Sequence, residues 1–214
     1  MPDFIFIIII LIFSVVIHEV SHGYAANALG DPTARFAGRL TLNPLKHLDL
    51  TGSVIIPAIL ILTQAGFIFG WAKPVPYNPY NLRNQRWGEA IVGGAGPAVN
   101  FLIAIIFGLL IRFGIAFEFL SASFIQIASI IVFVNILLGF FNLIPFPPLD
   151  GSKVFASILP RKAAESYRKF MDMSMKYGLT AIFGFLFLFI FILGPVFARF
   201  ISFIFFLITG AHFF

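Results

Sequence analysis

The stretch Ser14-Val-Val-Ile-His18-Glu19-Val-Ser-His22-Gly-Tyr-Ala-Ala-Asn27 decides the fold, because ionisable side chains cluster there inside an apolar run. Residues 4–17 hold no charged side chain and Ser14 is the single polar one. A helix over residues 4–29 would be roughly 39 Å long at about 1.5 Å per residue, enough to cross a bilayer with some tilt. His18 would lie about 21 Å from one helix end and about 16 Å from the other. The sequence therefore predicts a histidine inside the membrane.

The motif His18-Glu19-Val-Ser-His22 has the spacing of a zinc site. Imidazoles at i and i+4 share one helix face, so both can reach a single Zn²⁺. Glu19 is not needed as a ligand and can instead activate a metal-bound water, its role in this motif in metalloproteases. The alternative is a polar cluster that only packs against another helix. Ionisable groups are costly to insert into a membrane without partners, and this cost favours the metal site.

Composition places the chain in a lipid bilayer. Of its 214 residues, 60% are hydrophobic and 11% are charged, and the mean hydropathy is +1.00. A soluble domain has about 25% charged residues, so the sequence predicts an all-α polytopic membrane protein. Cysteine is absent, so zinc ligands must be histidines and carboxylates. Despite the net charge of +5, no basic cluster with interleaved aromatic residues lies outside an apolar run, which excludes nucleic acid as a partner.

The hydropathy pattern predicts about five to six transmembrane helices. The spans lie at about residues 4–29, 90–112, 123–141 and 178–193, and residues 196–209 are either a short final span or a kinked continuation. Residues 51–70 are apolar but interrupted by Pro57, Gly66 and Gly70. The roughly 13 helical residues that this segment allows fall short of the ~20 that a span requires. We therefore expect the segment to be re-entrant.

The polar segment after the first span predicts a strand. Thr33 to Leu42 has the composition of a short strand ended by Asn43-Pro44. With residues 51–70 it predicts a small re-entrant β-hairpin or loop region near the metal site. There is no internal repeat or low-complexity linker. Residues 1–214 are therefore expected to form one integral-membrane domain, with a core at about 4–155 and C-terminal helices at about 156–214.

A zinc site with two histidines needs a third protein ligand and an open position for water. Asp150 is the strongest candidate, because Pro145, Pro147 and Pro148 unwind the chain just before it. Irregular backbone at the end of a span is tolerated only where protein or a water-filled cavity receives it. The alternative role for Asp150 is to cap a helix that begins near Ser152. Weaker candidates are Glu89, Glu165, His47 and His212.

These motifs resemble those of the site-2 protease family of intramembrane zinc metalloproteases. After the histidine motif, Gly96-Pro-Ala-Val-Asn100 is similar to the family's Gly-x-x-x-Asn element. Asn142-Leu-Ile-Pro145-Phe-Pro-Pro-Leu-Asp150-Gly151 is similar to its Asn-x-x-Pro-x-x-x-x-Asp-Gly. The motifs follow the family's order over about residues 14–155. Pro74-Val-Pro76 and Asn43-Pro44 resemble the small prokaryotic branch without PDZ or CBS domains.

The resemblance implies a role for each of these residues. His18, His22 and Asp150 would bind one Zn²⁺ per chain, and Glu19 would act as the general base. Asn100 and Asn142 would hold the substrate or the oxyanion. The implied reaction is hydrolysis of a peptide bond in or near a transmembrane segment, and the implied partner is a transmembrane substrate protein. The oligomeric state is left open.

Other functions fit parts of the sequence. A metal-binding membrane transporter or sensor would keep the ligands without hydrolysis, but zinc binding does not require Glu19. A di-iron lipid-modifying enzyme needs more than the four histidines present. The sequence therefore favours an intramembrane zinc endopeptidase.

The topology follows from placing Asp150 beside the histidines. His18 and His22 lie nearer the C-terminal end of the first helix, so Asp150 must emerge on that side of the membrane. Two crossings between them achieve this and three do not, which again makes residues 51–70 re-entrant. Twelve of the fourteen Lys and Arg residues then share one face, which the positive-inside tendency makes cytoplasmic. The sequence predicts a multi-pass cell-membrane protein with an external N-terminus and a site open to the cytoplasm.

Overall fold

The computed structural model describes residues 4–64, 70–118 and 120–213, which form helices with irregular connections. The α-helices are α1 (Phe4–Ala28), α2 (Thr33–Phe36), α3 (Ile56–Leu62), α4 (Gly88–Ala116), α5 (Ala122–Asn142), α6 (Asp150–Ile158), α7 (Arg161–Tyr177), α8 (Leu179–Leu188) and α9 (Gly194–Thr209). π-Helical turns occupy Leu50–Ile55 and Phe189–Leu193, and 3₁₀ turns occupy Pro44–Lys46 and Pro79–Asn81. The all-α membrane class predicted from composition is confirmed.

Four helices of the described chain are long and apolar enough to cross a membrane: Ile5–Ala28, Gly88–Ala116, Ala122–Asn142 and Leu179–Thr209. The predicted number of five to six is too high, because the last two predicted spans form one helix of 31 residues. Pro195 falls in the first turn of α9, where its missing N–H costs little. The π-helical turn just before it absorbs the change in hydrogen bonding. The kinked continuation is therefore the correct alternative.

The apolar segment that begins at Leu50 stays shorter than a span. Leu50–Leu62 forms a short apolar helix, as the sequence predicts, and residues 65–69 lie outside the described residues. The chain then returns to the start of this helix. The backbone N–H of Trp71 donates to the carbonyl of Gly52 at 3.1 Å, and that of Lys73 donates to the carbonyl of His47 at 2.8 Å. The two ends of the apolar segment therefore lie beside each other in the loop region.

The prediction of a strand at Thr33 to Leu42 is wrong. Thr33–Phe36 forms the single helical turn α2, and residues 4–64, 70–118 and 120–213 contain no strand, so no β-hairpin forms there. The physical reason is Asp31. Its carboxylate accepts hydrogen bonds from the backbone N–H and the hydroxyl of Thr33 at 3.2 and 2.5 Å. Local side-chain bonds of this kind offer the backbone an alternative to extended pairing.

Asp31 also ties the connection between α1 and α4 to the end of α1. Its buried carboxylate accepts from the backbone N–H of Asn78 at 2.6 Å and from the side-chain amide of Asn81 at 2.9 Å. Burial alone raises the pKa of a carboxyl group, but the hydrogen bonds from Thr33, Asn81 and Asn78 outweigh it and lower the pKa of Asp31. The loop at residues 76–81 is thereby held against the membrane helix.

The main hydrophobic core lies between α4, α5 and α9. Its buried side chains are Ala104, Ile111, Ala128, Val132, Ile136, Ile201 and Phe205. α1 packs against α4 and α5, and α6 packs against α4. α4 therefore contacts both the helix with the histidine motif and the helix that begins at Asp150.

Candidate metal centre

The first two predicted ligands lie one turn apart on α1. His18 and His22 are 4% and 7% exposed, and their Nε2 atoms are 3.1 Å apart. The i, i+4 spacing places both rings on the same helix face, as the sequence predicts. Because α1 is one of the four candidate spans, the pair lies within a membrane helix.

Asp150 joins the pair from the first residue of α6. Its Oδ2 atom lies 3.1 Å from Nε2 of His18 and 3.1 Å from Nε2 of His22. The cap position of α6 is taken by Leu149, and no side-chain capping bond forms there. The carboxylate of Asp150 therefore faces the histidines and does not cap its own helix.

A hydrogen bond on the far side of the His22 ring decides which nitrogen faces the centre. Its Nδ1 atom lies 2.6 Å from the backbone carbonyl oxygen of Val92. A carbonyl oxygen can only accept, so Nδ1 carries the proton. In the neutral ring, the Nε2 atom of His22 then presents a lone pair towards Asp150.

The same conclusion holds for His18, through two asparagines. Asn135 donates from Nδ2 to the carbonyl of Ile131 at 2.9 Å and to the hydroxyl of Ser14 at 3.0 Å. Its Oδ1 atom then accepts from Nδ2 of Asn100 at 2.7 Å. This orientation leaves Oδ1 of Asn100 as the acceptor for Nδ1 of His18, at 2.6 Å. In the neutral ring, Nε2 of His18 then also presents a lone pair.

With both imidazoles neutral, as metal binding requires, three electron-pair donors meet at this point. At separations of 3.1 Å, their lone pairs repel unless a cation lies among them. Two imidazole nitrogens and a carboxylate oxygen suit Zn²⁺, whose ligands at about 2.1 Å would stand about 3.4 Å apart in a tetrahedral site. The observed separations fit this arrangement. His18, His22 and Asp150 can therefore hold a zinc ion.

Gly96 lets α4 approach the centre closely. A Cβ atom at this position would lie 2.5 Å from Nε2 of His22 and 2.6 Å from Nε2 of His18. Any side chain would therefore fill the space around the donor atoms. Glycine in the Gly-x-x-x-Asn element keeps that space open.

Glu19 follows His18 on α1 and is not a member of the ligand group, which is the one group found in the described part of the chain that could hold a metal. Its Oε2 atom accepts a hydrogen bond from the backbone N–H of Val75 at 3.0 Å. Pro74 and Pro76 have no backbone N–H, so within Pro74-Val75-Pro76 only Val75 can donate a backbone hydrogen bond. We did not predict this contact, because sequence alone does not place the loop beside α1.

Lys153 was also missed by sequence reasoning. Its Nζ atom lies 3.3 Å from Oδ1 of Asp150 and 5.5 Å from the centre of the Tyr77 ring. The i, i+3 spacing from Asp150 to Lys153 is the signal that could have found it. The carboxylate of Asp150 therefore has one oxygen facing the histidines and the other facing a lysine.

The two predicted substrate residues occupy different positions. Asn100 is fully buried behind His18, and both ends of its amide are engaged there. Asn142 donates to the carbonyl of Leu138, one turn earlier in α5. Contact of either asparagine with substrate stays a prediction.

The weaker ligand candidates do not join the centre. His47 is buried in the loop region and donates from Nε2 to the carbonyl of Thr41 at 2.8 Å. Glu89 lies 3.9 Å from Arg168 on α7.

Comparison with known proteins identifies the family. The model of peptidase family M50 matches residues 6–185, which is most of the chain. The chain belongs to peptidase family M50, the site-2 protease family.

Similar proteins extend this assignment. YwhC of Bacillus subtilis (strain 168), named as a candidate zinc metalloprotease, is 38% identical over 194 residues, which cover 88% of this chain and 82% of YwhC. Rip2 of Mycolicibacterium smegmatis, named in the same way, is 30% identical over 77% of this chain and 60% of Rip2. The zinc metalloprotease MJ0392 of Methanocaldococcus jannaschii is 29% identical over 72% of this chain and 34% of its own length. No solved structure matches. As an M50 peptidase the protein is a multi-pass, intramembrane zinc metalloprotease, which confirms the predicted enzyme class and metal.

Proposed function

We propose that His18, His22 and Asp150 bind the zinc ion of this M50 peptidase and that Glu19 is its general base. The single observation that carries this proposal is the meeting of two imidazole nitrogens and a carboxylate oxygen in a buried site, with Glu19 next to His18 on the same helix. Every residue of this assignment lies within residues 4–155, which we take as the catalytic core.

The position of Glu19 suits proton transfer. Zinc bound by the three donors would polarise the scissile carbonyl and acidify a water. The Val75 N–H holds Oε2 of Glu19, and Oε1 has no hydrogen-bond partner within the described residues. Oε1 is therefore free to take a proton from the attacking water and to return it to the leaving amine.

We propose that the substrate is another protein's transmembrane segment, cut in or near the bilayer. The histidines lie in a span, so a substrate must reach them at membrane depth. A helical substrate buries its carbonyls in i−4 hydrogen bonds and must locally unwind before attack. The alternative, a zinc transporter or sensor, has no use for a carboxylate held beside the ligands.

We further propose that the site opens to the cytoplasm. His22 contacts Val92 and His18 contacts Asn100, so α1 and α4 run antiparallel. The chain between them therefore returns to the side on which α1 ended. On this arrangement the basic residues of segments 29–88 and 144–177 share one face, which the positive-inside tendency makes cytoplasmic.

The role of Glu19 is tested by Glu19→Gln. We expect this variant to bind one zinc per chain and to lose about 10²–10⁴-fold in hydrolysis, because the ligands survive and the base does not. Elemental analysis would be run beside cleavage of a panel of single-span substrates, with and without chelator. Glu165→Gln makes the same change on the exposed face of α7 and serves as the control. Full activity in Glu19→Gln would exclude the proposed mechanism.

The orientation is tested by single cysteines, since the chain has none of its own. Phe36, Tyr80 and Ser166 are exposed, and cysteines there should react with an impermeant thiol reagent from the cytoplasmic side. Phe117, exposed between α4 and α5, should react from outside. External labelling at position 80 would contradict the return of the chain.

A further inference from the structure

We propose that Lys153 is a positioning residue that holds one oxygen of Asp150 away from the metal and so keeps a coordination position open for water. The proposal rests on the assignment of Asp150 as a zinc ligand. It assigns a role to a side chain that belongs neither to the ligand group nor to the histidine motif.

The two oxygens of the Asp150 carboxylate have different partners. Oδ2 lies 3.1 Å from both histidine Nε2 atoms, and Oδ1 lies 3.3 Å from Nζ of Lys153. A carboxylate can bind a metal through one oxygen or through both. A catalytic zinc site has three protein ligands and one position left for water or substrate. If Oδ1 rotated onto the metal, it would occupy that remaining position.

Lys153 is itself held in place. Its ammonium lies 5.5 Å from the centre of the Tyr77 ring, a distance at which a cation is attracted to an aromatic face. Its stem packs against α4 at Gly93, where a Cβ atom would lie 3.2 Å from the Lys153 Cβ and 3.2 Å from the backbone carbonyl oxygen of Asp150. A mobile lysine side chain would follow the Asp150 carboxylate if it rotated. Lys153 is instead fixed between α4 and the loop that contains Tyr77 and Val75, whose N–H binds Glu19.

The competing explanation is that Lys153 contributes only its positive charge to an acidic site. The two explanations differ in what happens to a neutral ligand. Loss of charge weakens the binding of an anion to the metal and leaves a neutral ligand unaffected. Closure of the open position weakens the binding of both.

The experiment uses the full-length protein in detergent, loaded with Co²⁺ so that ligand binding appears in the visible spectrum. Imidazole at a pH where it is neutral is the neutral probe, and azide is the anionic probe. The variants are Lys153→Met, Lys153→Arg and the control Lys169→Met, which makes the same change on the exposed part of α7. We expect Lys153→Met to bind imidazole about tenfold more weakly, with Lys153→Arg and Lys169→Met close to wild type.

Each other outcome contradicts the proposal. Unchanged imidazole binding in Lys153→Met, or a loss confined to azide, would show that Lys153 acts through charge alone. If Lys153→Met keeps its helical content but does not bind Co²⁺, the role of Lys153 is to support metal affinity, not to keep a position open. Should Lys153→Met not fold, Tyr77→Leu keeps the lysine but removes the ring, and it should weaken imidazole binding in the same direction. No peptide cleavage enters these measurements, so an inactive wild-type protein would refute the proposed function without affecting this test.

Discussion

Replacing Asn135 with leucine should weaken zinc binding about 5- to 150-fold, although Asn135 makes no hydrogen bond to the proposed ligands. The amide of Asn135 fixes Asn100, and Asn100 fixes the tautomer of His18. Leucine removes the acceptor for Nδ2 of Asn100, which is fully buried. If Asn100 then keeps its oxygen towards His18, its buried Nδ2 has lost its acceptor.

The magnitude follows from the cost of that lost hydrogen bond. A buried donor left without an acceptor costs about 1–3 kcal/mol. Asn100 avoids the cost by turning its NH₂ towards other acceptors, including Nδ1 of His18. The imidazole proton would then move to Nε2, the atom that faces the centre. A free-energy difference of about 1.4 kcal/mol changes an equilibrium constant tenfold, so the expected range of affinity loss is about 5- to 150-fold.

The assay is competition for zinc between the purified protein and a chelator of known affinity, at constant pH. Asn135→Asp keeps an acceptor for Asn100 and should lose less affinity than Asn135→Leu. Ser129→Ala changes another buried polar residue of α5 and should bind zinc like the wild type. Equal affinity of Asn135→Leu and the wild type would refute the argument that these amides select the tautomer.

Two further predictions concern close packing and the loop anchor. Gly96→Ala should prevent zinc binding, because its Cβ would lie 2.5 Å from Nε2 of His22. Gly94→Ala is the control: its Cβ would have no neighbour within 4 Å, so this variant should bind zinc normally. Equal zinc content in the two variants would contradict the prediction. Asp31→Ala should lower the free energy of unfolding by about 3 kcal/mol, since the buried donors of the loop lose a charged acceptor. Because hydrogen bonding lowers the pKa of Asp31, the wild-type advantage should be complete above about pH 4 and disappear as the pH falls further. Thermal unfolding checks this, with exposed Asp172→Ala as the control, and an unchanged melting temperature for Asp31→Ala would count against it.

Sequence predicted best what depends on local geometry or on counting ligands. The spacing of His18 and His22 determines their shared helix face, and helix spacing needs no tertiary information. The position of Asp150 beside the histidines could be inferred because two histidines do not complete a zinc site and prolines unwind the chain before Asp150. The continuity of the last span was harder to predict, because the hydrogen bonding of the preceding turn decides whether a helix accommodates Pro195 or ends there.

What sequence did not predict depends on pairing between distant residues. A lone asparagine in an apolar span indicates a polar partner but does not say which one, so Asn135 could not be joined to Asn100. The strand prediction failed because the carboxylate of Asp31 competes for the backbone of the next turn. Val75 and Lys153 went unnoticed because their roles arise only when the loop and α6 meet at the centre.

The centre is organised by one face of α4, although α4 supplies no proposed ligand. Val92, Gly96 and Asn100 are spaced four apart and so lie along one stripe of the helix. The first gives a carbonyl to His22, the second leaves room for the donor atoms, and the third gives an amide oxygen to His18. Because Val92 contacts His22 and Asn100 contacts His18, the two helices run antiparallel. The same register that selects the imidazole tautomers therefore also requires the chain between α1 and α4 to come back to the side it left.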